Sequence, residues 1–151
     1  MKRFTVILLL AVLTLSLFAC GKNENLPEGQ PTVRYNDEPL QTLTLLVYRT
    51  NGEISVGGNE SADELVKQNA SKVPYTGISG GEIKLLSGKE DNVSYTISFV
   101  GIYGESGELT NYTENALSTL PAGKYIIAAQ VSARRAEYSE TYLYLAGIDK
   151  K

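Results

Sequence analysis

The hydrophobic pattern divides the chain into two unlike parts. Residues 4–19, FTVILLLAVLTLSLFA, form a nearly unbroken apolar run behind the basic start MKR, and the composition then turns polar at GKNENLPEGQP. From residue 32 onward the apolar positions come in short runs rich in Val, Ile, Thr and Tyr, separated by Gly and Asn clusters, which is the rhythm of an all-β chain. This pattern predicts strands at 32–35, 43–49, 53–56, 82–86, 93–103, 108–113, 123–133 and 138–146. The clearest is VSYTISFV, where Val93, Tyr95, Ile97 and Phe99 alternate with Ser94, Thr96 and Ser98, so that one face is expected to be buried and the other wet.

Turn signals link these runs. GESG at 104–107 has glycines free to take positive φ and predicts a hairpin turn, SGKEDN at 87–92 predicts another, and RRAE at 134–137 is a polar connection of hairpin length. The single helical signal is SADELVKQN at 61–69, with Ser61 placed to cap and Glu64 three residues on to complete a capping box. This short helix is expected to pack across an end or edge of the sheets through Leu65 and Val66.

The last predicted strand carries Thr141, Leu143 and Leu145 on one parity and Tyr138, Glu140, Tyr142 and Tyr144 on the other. With the leucines turned inward, Tyr138, Tyr142 and Tyr144 are expected to form an exposed stripe and are the candidate ligand-binding residues. Flat amphipathic rings suit a sugar face or a protein partner, although the high strand propensity of tyrosine produces the same pattern without a ligand. All ten tyrosines lie after residue 20, against one phenylalanine there, Phe99.

The stretch LPAGKYIIAAQV, residues 120–131, resembles the tyrosine corner of immunoglobulin-like and fibronectin type III-like sandwiches. The resemblance covers about 30 residues through the final hairpin, and it implies that Leu120, Gly123 and Tyr125 are structural, with the tyrosine hydroxyl bonded back to upstream backbone. Ile127 stands where an antibody domain has its second cysteine, and the chain has no tryptophan, so an antibody-type domain is excluded. The expected fold is an all-β, immunoglobulin-like antiparallel β-sandwich of about seven to eight strands with one short helix; a small barrel is the competing architecture.

Leu17, Phe18, Ala19 and Cys20 resemble the bacterial lipobox, in which a leucine and a small residue precede an acceptor cysteine. The sixteen-residue apolar run is shorter than the roughly twenty that a spanning helix wants. The resemblance implies that residues 1–19 are a lipoprotein signal peptide and that Cys20 carries a diacylglyceryl group as the mature N-terminus, held at a membrane by its acyl chains. Residues 20–31 then form the lipidated N-terminus and a tether that reaches about 35 to 40 Å when extended, and residues 32–151 form the β-sandwich domain. The implied location is the cell envelope: the outer membrane in a Gram-negative cell, where Gly21 after the cysteine resembles the outer-membrane sorting pattern, or the outer face of the membrane in a Gram-positive one.

Composition narrows the function classes. Beyond Ala19 the chain has 12 basic and 17 acidic residues, a net charge of −5, with Arg134 and Arg135 making a small basic pair and no longer basic run; this offers no face for nucleic acid. Cys20 is the only cysteine, so no intramolecular disulfide can form. The chain has no histidine, which removes Ser-His-Asp and Cys-His catalysis and the imidazole ligands of zinc sites. KEDN at 89–92 offers oxygen atoms to calcium but matches no EF-hand spacing. No catalytic residue, metal or cofactor is expected, and the loop at 112–121 is the one segment long enough for an inhibitor-type role. The expected function is non-catalytic binding or adhesion toward a glycan or protein. The alternative is a structural accessory lipoprotein of an envelope assembly, with the last strand offered for β-augmentation.

Overall fold

The computed structural model describes residues 30–50, 55–57 and 60–151. The apolar run, Cys20 and the tether to residue 29 lie outside the described residues, as do residues 53 and 54 of the predicted 53–56 strand.

Nine strands and one helix are found among the described residues: β1 (Thr32–Tyr35), β2 (Glu38–Pro39), β3 (Leu43–Thr50), β4 (Ser55–Gly57), α1 (Ala62–Asn69), β5 (Tyr75–Ile78), β6 (Ile83–Leu86), β7 (Ser94–Gly104), β8 (Gly123–Arg134) and β9 (Ser139–Lys150). They form an all-β sandwich of two sheets with one short helix, as the sequence pattern predicts. The larger sheet runs β4-β3-β9-β8-β7, with β5 added in parallel beside β9, and the smaller runs β2-β1-β6. β8 and β9 make the long central hairpin, paired from Gly123↔Lys150 to Arg134↔Ser139. The far edge of β9 is shared, its first half by β3 and its last four residues by β5. The last strand is therefore internal, and the expectation that it offers a free edge is corrected.

The larger sheet buries apolar side chains on both faces. On one, Ile102, Ile127, Ala146 and Ile148 pack against Val33, Leu40 and Ile83 of the smaller sheet and its connections. On the other, Ile126, Ala128, Leu143 and Leu145 pack against Val66, Ala70 and Val73 from α1 and the turn after it. Each of the Val, Leu and Ile side chains among them contributes about 1.5–3 kcal/mol when fully buried. The helix thus lies on a sheet face rather than across an end or edge. Eight residues are too few to hold a helix in isolation. Ser61 and Glu64 complete the expected capping box, with the Glu64 carboxylate accepting from the Ser61 backbone N–H at 2.8 Å. The Tyr103 hydroxyl donates to the Asp63 carboxylate at 2.6 Å and ties the helix to β7.

Two register slips set which side chains face where. In β7 the pairing with β8 slips by one residue between Phe99 and Gly101. Tyr95, Ile97 and Phe99 therefore share a face with Ile102, whereas Tyr103 turns to the helix side, because a bulge reverses the alternation beyond it. The GESG turn closes as predicted, with Gly107 N–H donating to the Gly104 carbonyl at 2.9 Å. The expected strand at 108–113 is reduced to one bridge, Tyr103↔Leu109. SGKEDN does not close a hairpin: it carries the chain from β6 in the smaller sheet to β7 in the larger.

Candidate functional site

The smaller sheet covers one end of the larger sheet's face. Toward the β8–β9 hairpin the same face carries a hollow of about 240 Å³. Its walls are Thr44 of β3, Tyr95 of β7, Arg135 of the hairpin and Glu140, Tyr142 and Tyr144 of β9, with Gln30 at the point where the chain enters the domain. Val131 and Ala133 of β8 also line it, and both are fully buried.

The register explains this grouping. Tyr95 pairs with Ala133, Val131 with Tyr142, Ala129 with Tyr144 and Thr44 with Tyr144, so these residues fall in one block on one face. In β3 the pairing slips by one between Leu46↔Tyr142 and Tyr48↔Thr141, which leaves Arg49 opposite Glu140. Unbroken pairing would put Tyr48 there and turn Arg49 to the opposite face.

Glu140 is the chemical centre of the hollow. It is 6% exposed, a rare state for a carboxylate. Arg49 Nε donates to its Oε1 at 2.7 Å and the Tyr142 hydroxyl donates to its Oε2 at 2.6 Å, so both oxygens are answered. Burial pushes this carboxyl up, but the Tyr142 hydrogen bond and the Arg49 and Arg135 charges outweigh it and hold Glu140 below the ordinary carboxylate value. Tyr142 is pushed up to about 12 by burial and by the carboxylate it serves. Burial and a 2.6 Å bond to Glu90 likewise push Tyr95 up to about 12, so both phenols keep their protons near neutral pH.

Arg135 forms a shared wall. It lines the hollow and also a shallower depression bounded by Asp91, Asn92, Glu137 and Tyr138. Its guanidinium lies 5.5 Å from the centre of the Tyr138 ring, and its buried Nε has no hydrogen-bond partner among the described residues.

These positions correct the tyrosine stripe. Tyr144 is 6% exposed, and Tyr138 and Tyr142 are half-buried, because the tyrosine parity of β9 faces the hollow while Leu143 and Leu145 face the helix. The structure brings Tyr142 and Tyr144 together in the hollow and leaves Tyr138 behind Arg135 in the adjoining depression. Thr44, Arg49, Tyr95, Arg135 and Glu140 were not among the candidate residues. Glu140 carried the one available signal, a carboxylate on an otherwise aromatic parity of a predicted strand.

The residues of the tyrosine corner lie away from the hollow. Leu120 is 2% exposed in the core, and Gly123 adopts φ +151 at the start of β8. Tyr125 packs on that core, its ring edge-on to Tyr112 at 6.0 Å between centroids. The 112–121 loop is pinned by buried Leu117 and Leu120. Among the described residues no group of three or more acidic, histidine or cysteine side chains is placed to hold a metal ion, and no helix is long and apolar enough to cross a membrane. No protein-family model, curated protein or solved structure matches this chain.

Proposed function

We propose that this protein is a lipid-anchored, non-catalytic binding module of the bacterial cell envelope, tied to its membrane through Cys20, with the hollow around Glu140 as its ligand site. The observation that carries the reading is a buried carboxylate, held by Arg49 and Tyr142, in the wall of a hollow that is also lined by buried apolar Val131 and Ala133. Glu140 is buried while the side chain of its partner Arg49 is 52% exposed, and keeping a carboxylate out of water costs stability that apolar packing at the same place would not, so a carboxylate held in this way at a hollow is better matched to a binding role than to the core. The lining has one carboxylate, already answered by Arg49, where acid–base hydrolysis of a glycoside uses two. Gln30 lies ten positions after Cys20, a reach of at most about 35 Å, which keeps the hollow close to the membrane that the lipid enters.

A second reading, an accessory lipoprotein of an envelope assembly, draws on a different observation. β7 is the edge of the larger sheet, eleven residues long without proline, and its first six residues precede the bulge. A partner strand added there would gain main-chain hydrogen bonds.

Both parts of the main reading are tested on the full chain purified from membranes in detergent. Cys20→Ser should move the protein from the membrane to the soluble fraction. A thermal-shift screen against envelope polysaccharides should find a stabilising ligand whose effect disappears in Tyr142→Ala. Membrane retention of Cys20→Ser would remove the anchor, and stabilisation that survives Tyr142→Ala would move the site elsewhere.

A further inference from the structure

We infer that the ligand of the hollow is a carboxylate-bearing saccharide, a chain containing uronic acid, with its carboxylate received by Arg135; this rests on the proposed binding role. Glu140 is already satisfied at both oxygens, so it has little left to offer a cationic ligand. Arg135 differs: it lines the hollow, and among the described residues no carboxylate forms an ion pair with its guanidinium and its buried Nε has no acceptor, so its charge is left for a ligand to answer through the outer N–H groups. A guanidinium presents its donors in a planar fork that matches a carboxylate, and charge-assisted bonds of this kind are about twice as strong as neutral ones.

The remainder of the lining has the chemistry of a sugar site. Tyr95 and Tyr142 bring rings and hydroxyl oxygens that can still accept, their protons being given to Glu90 and Glu140, while Thr44 brings a hydroxyl and Gln30 an amide that can both donate to and accept from ring hydroxyls. The volume, about 240 Å³, falls below the roughly 300–1,000 Å³ of pockets for drug-sized ligands, and suits one pyranose unit with the chain continuing out of the mouth. The adjoining depression beyond Arg135, edged by Tyr138, offers a place for the next unit.

The test uses the full chain in detergent and three probes: an oligogalacturonate, the same oligomer with its carboxyls reduced to alcohols, and an acetylated glutamate-rich peptide. Binding is read by calorimetry at two salt concentrations. The inference expects the oligogalacturonate to bind at least about tenfold more tightly than its reduced form, with weakening at higher salt. Arg135→Gln should abolish that difference, with melting confirming that the variant is folded, and Arg135→Lys should restore only part of it. Equal binding of the reduced oligomer, lost in Tyr142→Ala, would overturn the acidic ligand and keep the binding role. Peptide binding as tight as the oligogalacturonate would overturn the saccharide. Absence of binding by all three, together with a flat polysaccharide screen, would overturn both this inference and the reading beneath it.

Discussion

Replacing Tyr144 by alanine should destabilise the domain by about 3 kcal/mol. Tyr144 lies on β9 opposite Ala129 and Thr44 and is 6% exposed. A buried aromatic side chain removes roughly 150–250 Å² from water. Truncation at Cβ forfeits most of that, and at about 25 cal/mol per Å² the loss is about 3 to 5 kcal/mol. The hollow beside Tyr144 opens to solvent, so the space left behind can hydrate instead of remaining an empty void, which favours the lower figure. The assay is urea unfolding followed by circular dichroism, with an unchanged m value as the check that only stability has moved. In a thermal melt the same loss should appear as a drop on the order of 10 °C. Leu143→Ala, on the adjacent residue and the opposite face, should cost about 2–5 kcal/mol, while Thr96→Ala, exposed on β7, should stay within about 0.5 kcal/mol. Two neighbouring strand positions that both cost several kcal/mol identify a sheet covered on both faces. A loss under about 1 kcal/mol for Tyr144→Ala would mean that its ring is solvated and that the sheet has one wet face.

Three further outcomes follow from the same structure. Because Glu140 sits below the ordinary carboxylate value, its contribution to stability is present above the unfolded-state value and is lost as pH falls through its own. Urea midpoints of wild type and Glu140→Gln should therefore differ near neutral pH and converge as the pH falls below the ordinary carboxylate range. Gly107→Ala should cost about 1–3 kcal/mol, since the position has φ +82 and a Cβ there would lie 2.7 Å from Lys67 Cα; a neutral result in the same urea assay would mean that the turn is not seated on the helix. Ser61→Ala should cost about 1 kcal/mol through the lost cap, with faster amide exchange confined to α1.

Much of the fold was legible because the signals were local. Ser61 and Glu64 specify a helix start through their own hydrogen bonds, and the alternation from Val93 to Phe99 specifies a half-buried strand. What misled was the assumption of a single buried face. Ile126, Ile127, Ala128 and Ala129 are consecutive apolar residues, as are Leu145 and Ala146, and such unbroken runs are the mark of a strand covered on both sides. Treating Leu143 and Leu145 as the only inward parity of β9 turned Tyr144 to solvent, whereas it faces the hollow. The site itself was less accessible. The pairing of Arg49 with Glu140 spans 91 positions in sequence and depends on a one-residue slip in β3, and nothing near Leu46 marks that slip in advance. Bulges follow from how two strands settle against each other, which is a tertiary outcome and not a property of either segment alone.

The most direct test of the central claim uses the tyrosines as reporters. They are spread over the molecule: Tyr95, Tyr142 and Tyr144 at the hollow, Tyr35 on the smaller sheet, Tyr112 on the 112–121 loop and Tyr103 beneath the helix. With the rings isotopically labelled, NMR spectra are recorded as the ligand giving the largest thermal shift is added. The account predicts that the signals of Tyr95, Tyr142 and Tyr144 move together along one saturating curve while those of Tyr35, Tyr103 and Tyr112 stay in place. Saturating shifts at Tyr35 or Tyr112 with the hollow's three tyrosines unmoved would contradict it.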